Sequence, residues 1–174
     1  MNAADRLSRP LYIVCQLARL VAAAWIMWAL VRVTVIWSDE DTILRVYGRI
    51  AGHALEPISG LQQAAGYAAI LAVLAAAAVV VVKLWQLFGH YIAGRIFDRR
   101  AVSAFRVLAW SAVAAFSADI VMRPVVFAIV SGGGFAFWSE PNDLLHAAVV
   151  LFLVILAEVF SAGAAIADEH SQIV

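Results

Sequence analysis

Cysteine and charge are both scarce in this sequence. Its 174 residues include one cysteine, Cys15, which excludes an internal disulfide and a cysteine-based metal cluster. Charged residues make up only 14% of the chain and hydrophobic residues 65%, whereas about a quarter of a typical soluble domain is charged. A chain with so few polar side chains cannot cover its surface in water, so we expect lipid to be its solvent.

The charges that are present sum to a formal net charge of zero. The chain therefore lacks the basic field that direct binding to nucleic acid requires. It also lacks the sequence motifs of a phosphate-binding loop, a nucleophile elbow and a metalloprotease helix. We therefore predict a protein that is not an enzyme and that uses no cofactor.

Four apolar segments are long enough to cross a membrane as helices. Each exceeds the roughly 20 residues that a helix needs to cross the hydrocarbon core. Their apolar residues do not alternate with polar ones, which argues against the strands of a membrane barrel. We predict an all-α, single-domain, integral membrane four-helix bundle, with spans at about residues 11–37, 61–89, 107–130 and 144–167.

The segment between the first two spans, residues 38–60, has a helical pattern of its own. Apolar residues recur there at helical spacing with charged residues between them: Ile43, Leu44, Tyr47, Ile50, Ala54 and Leu55. We predict a short amphipathic helix that lies at the outer membrane interface; the alternative is an ordered loop. Asp39 or Asp41 would cap the start of this helix, and Pro57 and Gly60 would end it.

Arginine placement predicts which ends of the spans face the cytoplasm. One side of the predicted membrane carries six arginines outside the spans: Arg6, Arg9, Arg95, Arg99, Arg100 and Arg106. The opposite side carries two, Arg45 and Arg49. Because basic loops stay on the cytoplasmic side, we predict that both termini and the connection between spans two and three are cytoplasmic.

Charged side chains inside the spans are candidates for a functional role, because each costs about 2.5–3.5 kcal/mol to insert. Four stand out: Arg19, Asp119, Arg123 and Glu158. Arg19 and Glu158 lie roughly 12–13 Å from the same membrane edge, which predicts an ion pair between them. Lys83 is an alternative partner of Glu158. Asp119 and Arg123 are four residues apart and therefore share a helix face.

These charges permit more than one interpretation. They could line a polar path or a small-ligand site, as in a small transporter or channel subunit, with Ser111, Ser117 and Arg32 as neighbours of Asp119. The alternative, which we favour because no continuous polar stripe accompanies them, is that ion pairs fix helix register. A haem-binding electron carrier is disfavoured, because no histidine is predicted at mid-membrane depth: His53, His90, His146 and His170 all fall near the surfaces.

Two stretches of the sequence resemble a known family. Residues 94–106, and residues 156–163 with Asp168 and Glu169 behind them, are similar to the bacterial membrane proteins of domain-of-unknown-function family 2975. The resemblance covers most of the chain and implies four membrane helices in the bacterial inner membrane, with no established reaction. Family members are often thought to be encoded beside a small helix-turn-helix repressor, which implies a cytoplasmic regulator as partner.

The resemblance leads us to expect a non-enzymatic sensor or anchoring partner of such a regulator. The contact surface would be the basic residues of the second connection, which are equally suited to lipid headgroups: Arg95, Arg99, Arg100 and Arg106. Small residues in span four allow close helix packing and therefore a homodimer: Ser161, Gly163, Ala164 and Ala167.

Overall fold

The described part of the chain contains five α-helices. The computed structural model describes the backbone of residues 3–93 and 99–171, and the side chains of residues 10–93 and 99–164. Every regular element in these ranges is helical, which confirms the all-α prediction. The helices are α1 (Ala3–Trp37), α2 (Glu40–Ala51), α3 (Gly60–Ile92), α4 (Arg99–Ser131) and α5 (Pro141–Ser171).

Four of these helices are long and apolar enough to cross a membrane, as predicted. The candidate spans are Pro10–Trp37, Gly60–Ile92, Arg99–Ser131 and Pro141–Ala164. The largest difference from the predicted bounds is at α4, which begins at Arg99 rather than near residue 107. Arginines make this first part of α4 polar, so hydropathy alone excludes it from the span. The helix nevertheless continues, because its backbone hydrogen bonds are internal and do not depend on lipid.

The long helices pack in chain order. α1 packs against α3, α3 against α4 and α4 against α5, with the α3–α4 contact the most extensive. Between α1 and α5 the described residues make almost no contact. The four long helices therefore form a row in the order α1, α3, α4 and α5, which we call the helix row.

Buried side chains form two packed cores, which lie toward opposite ends of the long helices. The core nearer α2, called here the α2-side core, is built from Trp37, Ile43, Tyr47, Ile58, Val126, Phe127 and Val130. The second, called here the far core, is built from Leu87, Phe105, Leu108, Ala109 and Ala157. The far core joins α3, α4 and α5, whereas the α2-side core joins α1, α2 and α4 to the segment before α3.

α2 is the amphipathic helix that the pattern in residues 38–60 predicts. Of the two capping candidates, Asp39 is the N-cap: its carboxylate accepts hydrogen bonds from the backbone N–H and the hydroxyl of Thr42. The hydroxyl of Thr42 holds the pKa of Asp39 below its ordinary value. On the buried face, Ile43 is fully enclosed, and burial raises the pKa of Tyr47 to about 12. The apolar face of α2 is therefore part of the protein core.

The predicted end of this helix was wrong. α2 ends at Ala51, where Gly52 adopts a left-handed conformation with φ 75°. Only a residue without a Cβ takes this conformation without strain, so Gly52 ends the helix before Pro57 is reached. Gly60 instead opens α3, whose N-cap is Ser59 in a capping box with Gln62. The periodic pattern at Ala54 and Leu55 therefore lies beyond the helix.

Candidate functional site

Arg123 joins two carboxylates from different helices. Its guanidinium donates two hydrogen bonds to Asp143, from Nη1 to Oδ2 at 2.7 Å and from Nη2 to Oδ1 at 2.9 Å. Nη2 also donates to Oδ2 of Asp119 at 2.5 Å. The predicted pairing of Asp119 with Arg123 is present, and Asp143 extends it to α5. We call these three residues the charge cluster.

Asp143 is the member of the charge cluster that the sequence did not reveal. It lies in the first turn of α5, where its Oδ2 also accepts the backbone N–H of Glu140 at 2.7 Å. A carboxylate is favoured at this place, because the first turn of a helix has unpaired N–H groups and a positive dipole end. From sequence, Asp143 therefore suggests only a capping residue, and nothing in its spacing from Arg123 indicates that their helices meet.

A cavity of about 370 Å³ lies between the two cores, partway along the long helices. On α3 its lining begins at Ile70, where the α2-side core ends, and stops at Ala77, before the far core begins at Val80. On α4 it is lined by residues 115–119, again between the two cores. All four spanning helices contribute to the wall: Trp25, Val33, Ile70, Val73, Leu74, Ala77, Ala115, Phe116, Asp119 and His146. We call this space the central cavity.

Asp119 connects the charge cluster to the central cavity. It lies twelve residues before the end of α4 at Ser131, about 18 Å along the helix axis and inside a candidate span. A second cavity of about 100 Å³ lies on its other side, lined also by Arg123, Tyr47 and Trp138. Asp119 therefore borders both cavities, and Arg123 borders the smaller one.

The predicted ion pair between Arg19 and Glu158 was wrong. Arg19 belongs to α1 and Glu158 to α5, the two flanking helices of the row. The guanidinium of Arg19 instead donates from Nη2 to the backbone carbonyl of Trp85 at 2.6 Å and lies 4.9 Å from the centre of the Trp85 ring. Equal depth in the membrane predicts a pair only if the helices are neighbours, and these two are not.

Glu158 pairs with Arg106 of α4, the neighbouring helix, at 3.1 Å between Nε and Oε1. Both side chains are about half exposed, at 54% for Arg106 and 49% for Glu158. Arg106 was assigned to a loop because α4 was expected to begin near residue 107. Of the other basic candidates in this region, Arg99 and Arg100 are in the first turn of α4, and Arg95 lies outside the described residues.

The remaining polar candidates do not join the charge cluster. Arg32 lies over the Trp28 ring at 5.2 Å from its centre, so the expectation that it reaches Asp119 was wrong. The hydroxyl of Ser111 donates to the carbonyl of Val107 in its own helix at 2.7 Å. Among histidines, His146 lines the central cavity, whereas the side chain of His170 lies outside the described residues.

Comparisons with known proteins identify one family. The profile of one family, described as proteins of unknown function (DUF2975), matches residues 11–174. No curated protein and no solved structure matches the chain at a significant level. The matched residues include the charge cluster, the lining of the central cavity and, apart from Pro10, all four candidate spans. The chain therefore belongs to the DUF2975 family and is a multi-pass, helical protein whose spans suit a membrane.

Proposed function

We propose that this protein is a non-enzymatic membrane sensor that anchors a cytoplasmic regulator and responds to a small ligand in the central cavity. The observation that supports this proposal is that the cavity is lined by all four spanning helices. A ligand there would contact every span at once. Its binding would therefore favour one arrangement of the helices over another, which is the requirement for a sensor.

The connection between α3 and α4 is the proposed binding surface for the regulator. These two helices form most of the cavity wall and lead directly into this connection. Arg95, Arg99 and Arg100 give it a basic character that suits an acidic protein surface. By the positive-inside rule this connection and both termini lie in the cytoplasm, and the family resemblance suggests the bacterial inner membrane.

A binding experiment with the purified protein in lipid nanodiscs tests the anchoring role. The bait is the full chain, and the probe is the helix-turn-helix regulator that the family resemblance leads us to expect beside its gene. We expect the regulator to be retained by the wild type and lost when Arg95, Arg99 and Arg100 are changed together to glutamine. Arg106 is left in place because it pairs with Glu158.

The matched control removes arginines from the opposite side. Arg45→Gln with Arg49→Gln should retain the regulator as well as the wild type does. Equal retention by the wild type and the variant at Arg95, Arg99 and Arg100 would contradict the proposal. So would retention no greater than that by empty nanodiscs.

A small transporter or channel subunit is the second candidate, favoured by the carboxylate of Asp119, which lies inside a candidate span and lines the central cavity. Ionisable residues inside spans often belong to ion or proton pathways. Liposomes containing the protein discriminate between the two functions. A transporter predicts a cation or proton flux that Asp119→Asn abolishes, whereas the sensor predicts flux at the level of protein-free liposomes.

A further inference from the structure

The wall of the central cavity is mostly apolar but carries one carboxylate with unused hydrogen-bonding capacity. Both oxygens of Asp143 are occupied by Arg123, and its side chain is only 12% exposed. Asp119 is 42% exposed and uses Oδ2 for Arg123. Within the described part of the chain no hydrogen-bond donor reaches its Oδ1. Asp119 therefore presents a partly unsatisfied acceptor to the cavity.

The charge cluster is also unbalanced. It holds two carboxylates, Asp119 and Asp143, and one guanidinium, Arg123, which leaves one negative charge. Such a charge is costly at membrane depth unless a positive group accompanies it. A cation in the central cavity, next to Asp119, would supply the missing charge at the place where the acceptor is free.

The other lining residues suit an organic cation better than a metal ion. Magnesium and calcium require about six or more oxygen ligands, whereas the cavity wall offers the one carboxylate of Asp119, and its other residues apart from His146 are apolar. Trp25 and Phe116 bring aromatic rings to the same cavity, and such rings attract organic cations through their faces. A volume of about 370 Å³ lies within the roughly 300–1,000 Å³ that is typical of small-molecule sites.

We propose that the central cavity binds a lipophilic organic monocation, such as a quaternary ammonium or phosphonium ion, with its charge beside Asp119 and its apolar body against Trp25 and Phe116. The inference rests on the proposed function in that the cavity is the ligand site of the sensor. His146 lines the same cavity, so the wild type and every variant are measured at the same pH.

Tetraphenylphosphonium and tetraphenylborate are suitable probes, because they share size and shape but have opposite charge. We expect isothermal titration calorimetry on the purified full chain to show tetraphenylphosphonium bound about tenfold or more tightly than tetraphenylborate, a ratio equivalent to one decade in Kd. Asp119→Asn should weaken phosphonium binding by about the same factor. That variant leaves Arg123 balanced by Asp143, so its fold should survive.

Two further variants distinguish binding inside the cavity from a general effect of charge on the protein. Ala77→Leu narrows the cavity without changing a charge and should weaken binding of both probes. Glu158→Gln removes a carboxylate of α5 that lies twelve residues beyond His146, about 18 Å along the helix, and should bind tetraphenylphosphonium as the wild type does.

Four outcomes would overturn the inference. The first is equal affinity of the wild type for both probes, as expected of a pocket filled by a lipid chain, and the second is no binding of tetraphenylphosphonium to the wild type. The third is an unchanged affinity of Asp119→Asn for tetraphenylphosphonium, and the fourth is a loss of that affinity in Glu158→Gln equal to the loss in Asp119→Asn. None of them involves the regulator. Failure of cation binding is therefore distinguishable from failure of the anchoring role, which the nanodisc experiment measures without any ligand.

Discussion

Gly66 allows α1 and α3 to approach closely, because it has no side chain. The indole ring of Trp37 lies against it, so that a Cβ built at Gly66 would overlap the ring. Trp37 is only 5% exposed and packs edge-on against Tyr47, with 6.2 Å between ring centres. The ring therefore has little freedom to move aside.

Gly66→Ala should accordingly destabilise the protein by about 1–3 kcal/mol, the usual cost of overpacking a core. Thermal unfolding in detergent measures the effect. The matched control is Gly60→Ala at the start of α3, where a Cβ meets open space, and this variant should unfold at the wild-type temperature or slightly above. Equal melting temperatures for the two variants would show that α1 and α3 do not meet in this way.

The charge cluster makes a second prediction at the scale of residues. Arg123→Met leaves Asp119 and Asp143 without their shared cation, and loss of one partner from a buried ion pair is strongly destabilising, here on the order of 3 kcal/mol. A triple variant with Asp119→Asn and Asp143→Asn added removes the stranded charges and should recover part of the loss, as measured by thermal unfolding.

Arg106→Met is the matched control for this series. It breaks the pair with Glu158, whose side chain is about half exposed, and it strands one carboxylate instead of two, so the loss of stability should be smaller than in Arg123→Met. A triple variant no more stable than Arg123→Met would contradict the account of the charge cluster, as would an equal effect at Arg106.

Among the elements, α2 is the one whose attachment depends on very few side chains. Ile43 is fully buried in the α2-side core, whereas Val46, one turn along, is 39% exposed. Ile43→Ala should cost about 2–5 kcal/mol, as truncation of a packed aliphatic side chain usually does. Val46→Ala should change stability by about 0.5 kcal/mol or less. If both variants have the melting temperature of the wild type, α2 is not part of the core.

The elements were the most predictable part of this protein. Long apolar runs leave only helices for a chain in lipid, since every backbone group must be paired within the membrane, and the alternation of charge and apolar side chains revealed α2. The ends were less predictable, because the arginines at the start of α4 hide a helix that continues past the apolar segment. α2 ends at Ala51 because Gly52 takes a left-handed conformation, whereas the apolar pattern in the sequence continues to Ala54 and Leu55 and so predicts a later end.

At the scale of the whole molecule, the order of packing decides which charges meet. Depth along each span can be read from sequence, and it placed Arg19 and Glu158 at the same level. It does not say which helices are neighbours. The row places α4 between α3 and α5, so Arg106 reaches Glu158 and Asp143 reaches Arg123. For the same reason the central cavity, which needs side chains from four helices, had no signature in the sequence.

The proposed function requires a topology with four spans, in which α2 does not cross the membrane and the α3–α4 connection lies in the cytoplasm. Labelling with a membrane-impermeant maleimide tests it, using exposed positions at the ends of the helices: Ala54→Cys after α2, Ala93→Cys after α3 and Phe135→Cys after α4. The wild type is the background control, because its single cysteine, Cys15, is buried.

We predict that cysteines at positions 54 and 135 react in intact cells, and that a cysteine at position 93 reacts only after the cells are opened. Labelling of positions 54 and 135 from opposite sides, or of position 93 in intact cells, would contradict this topology.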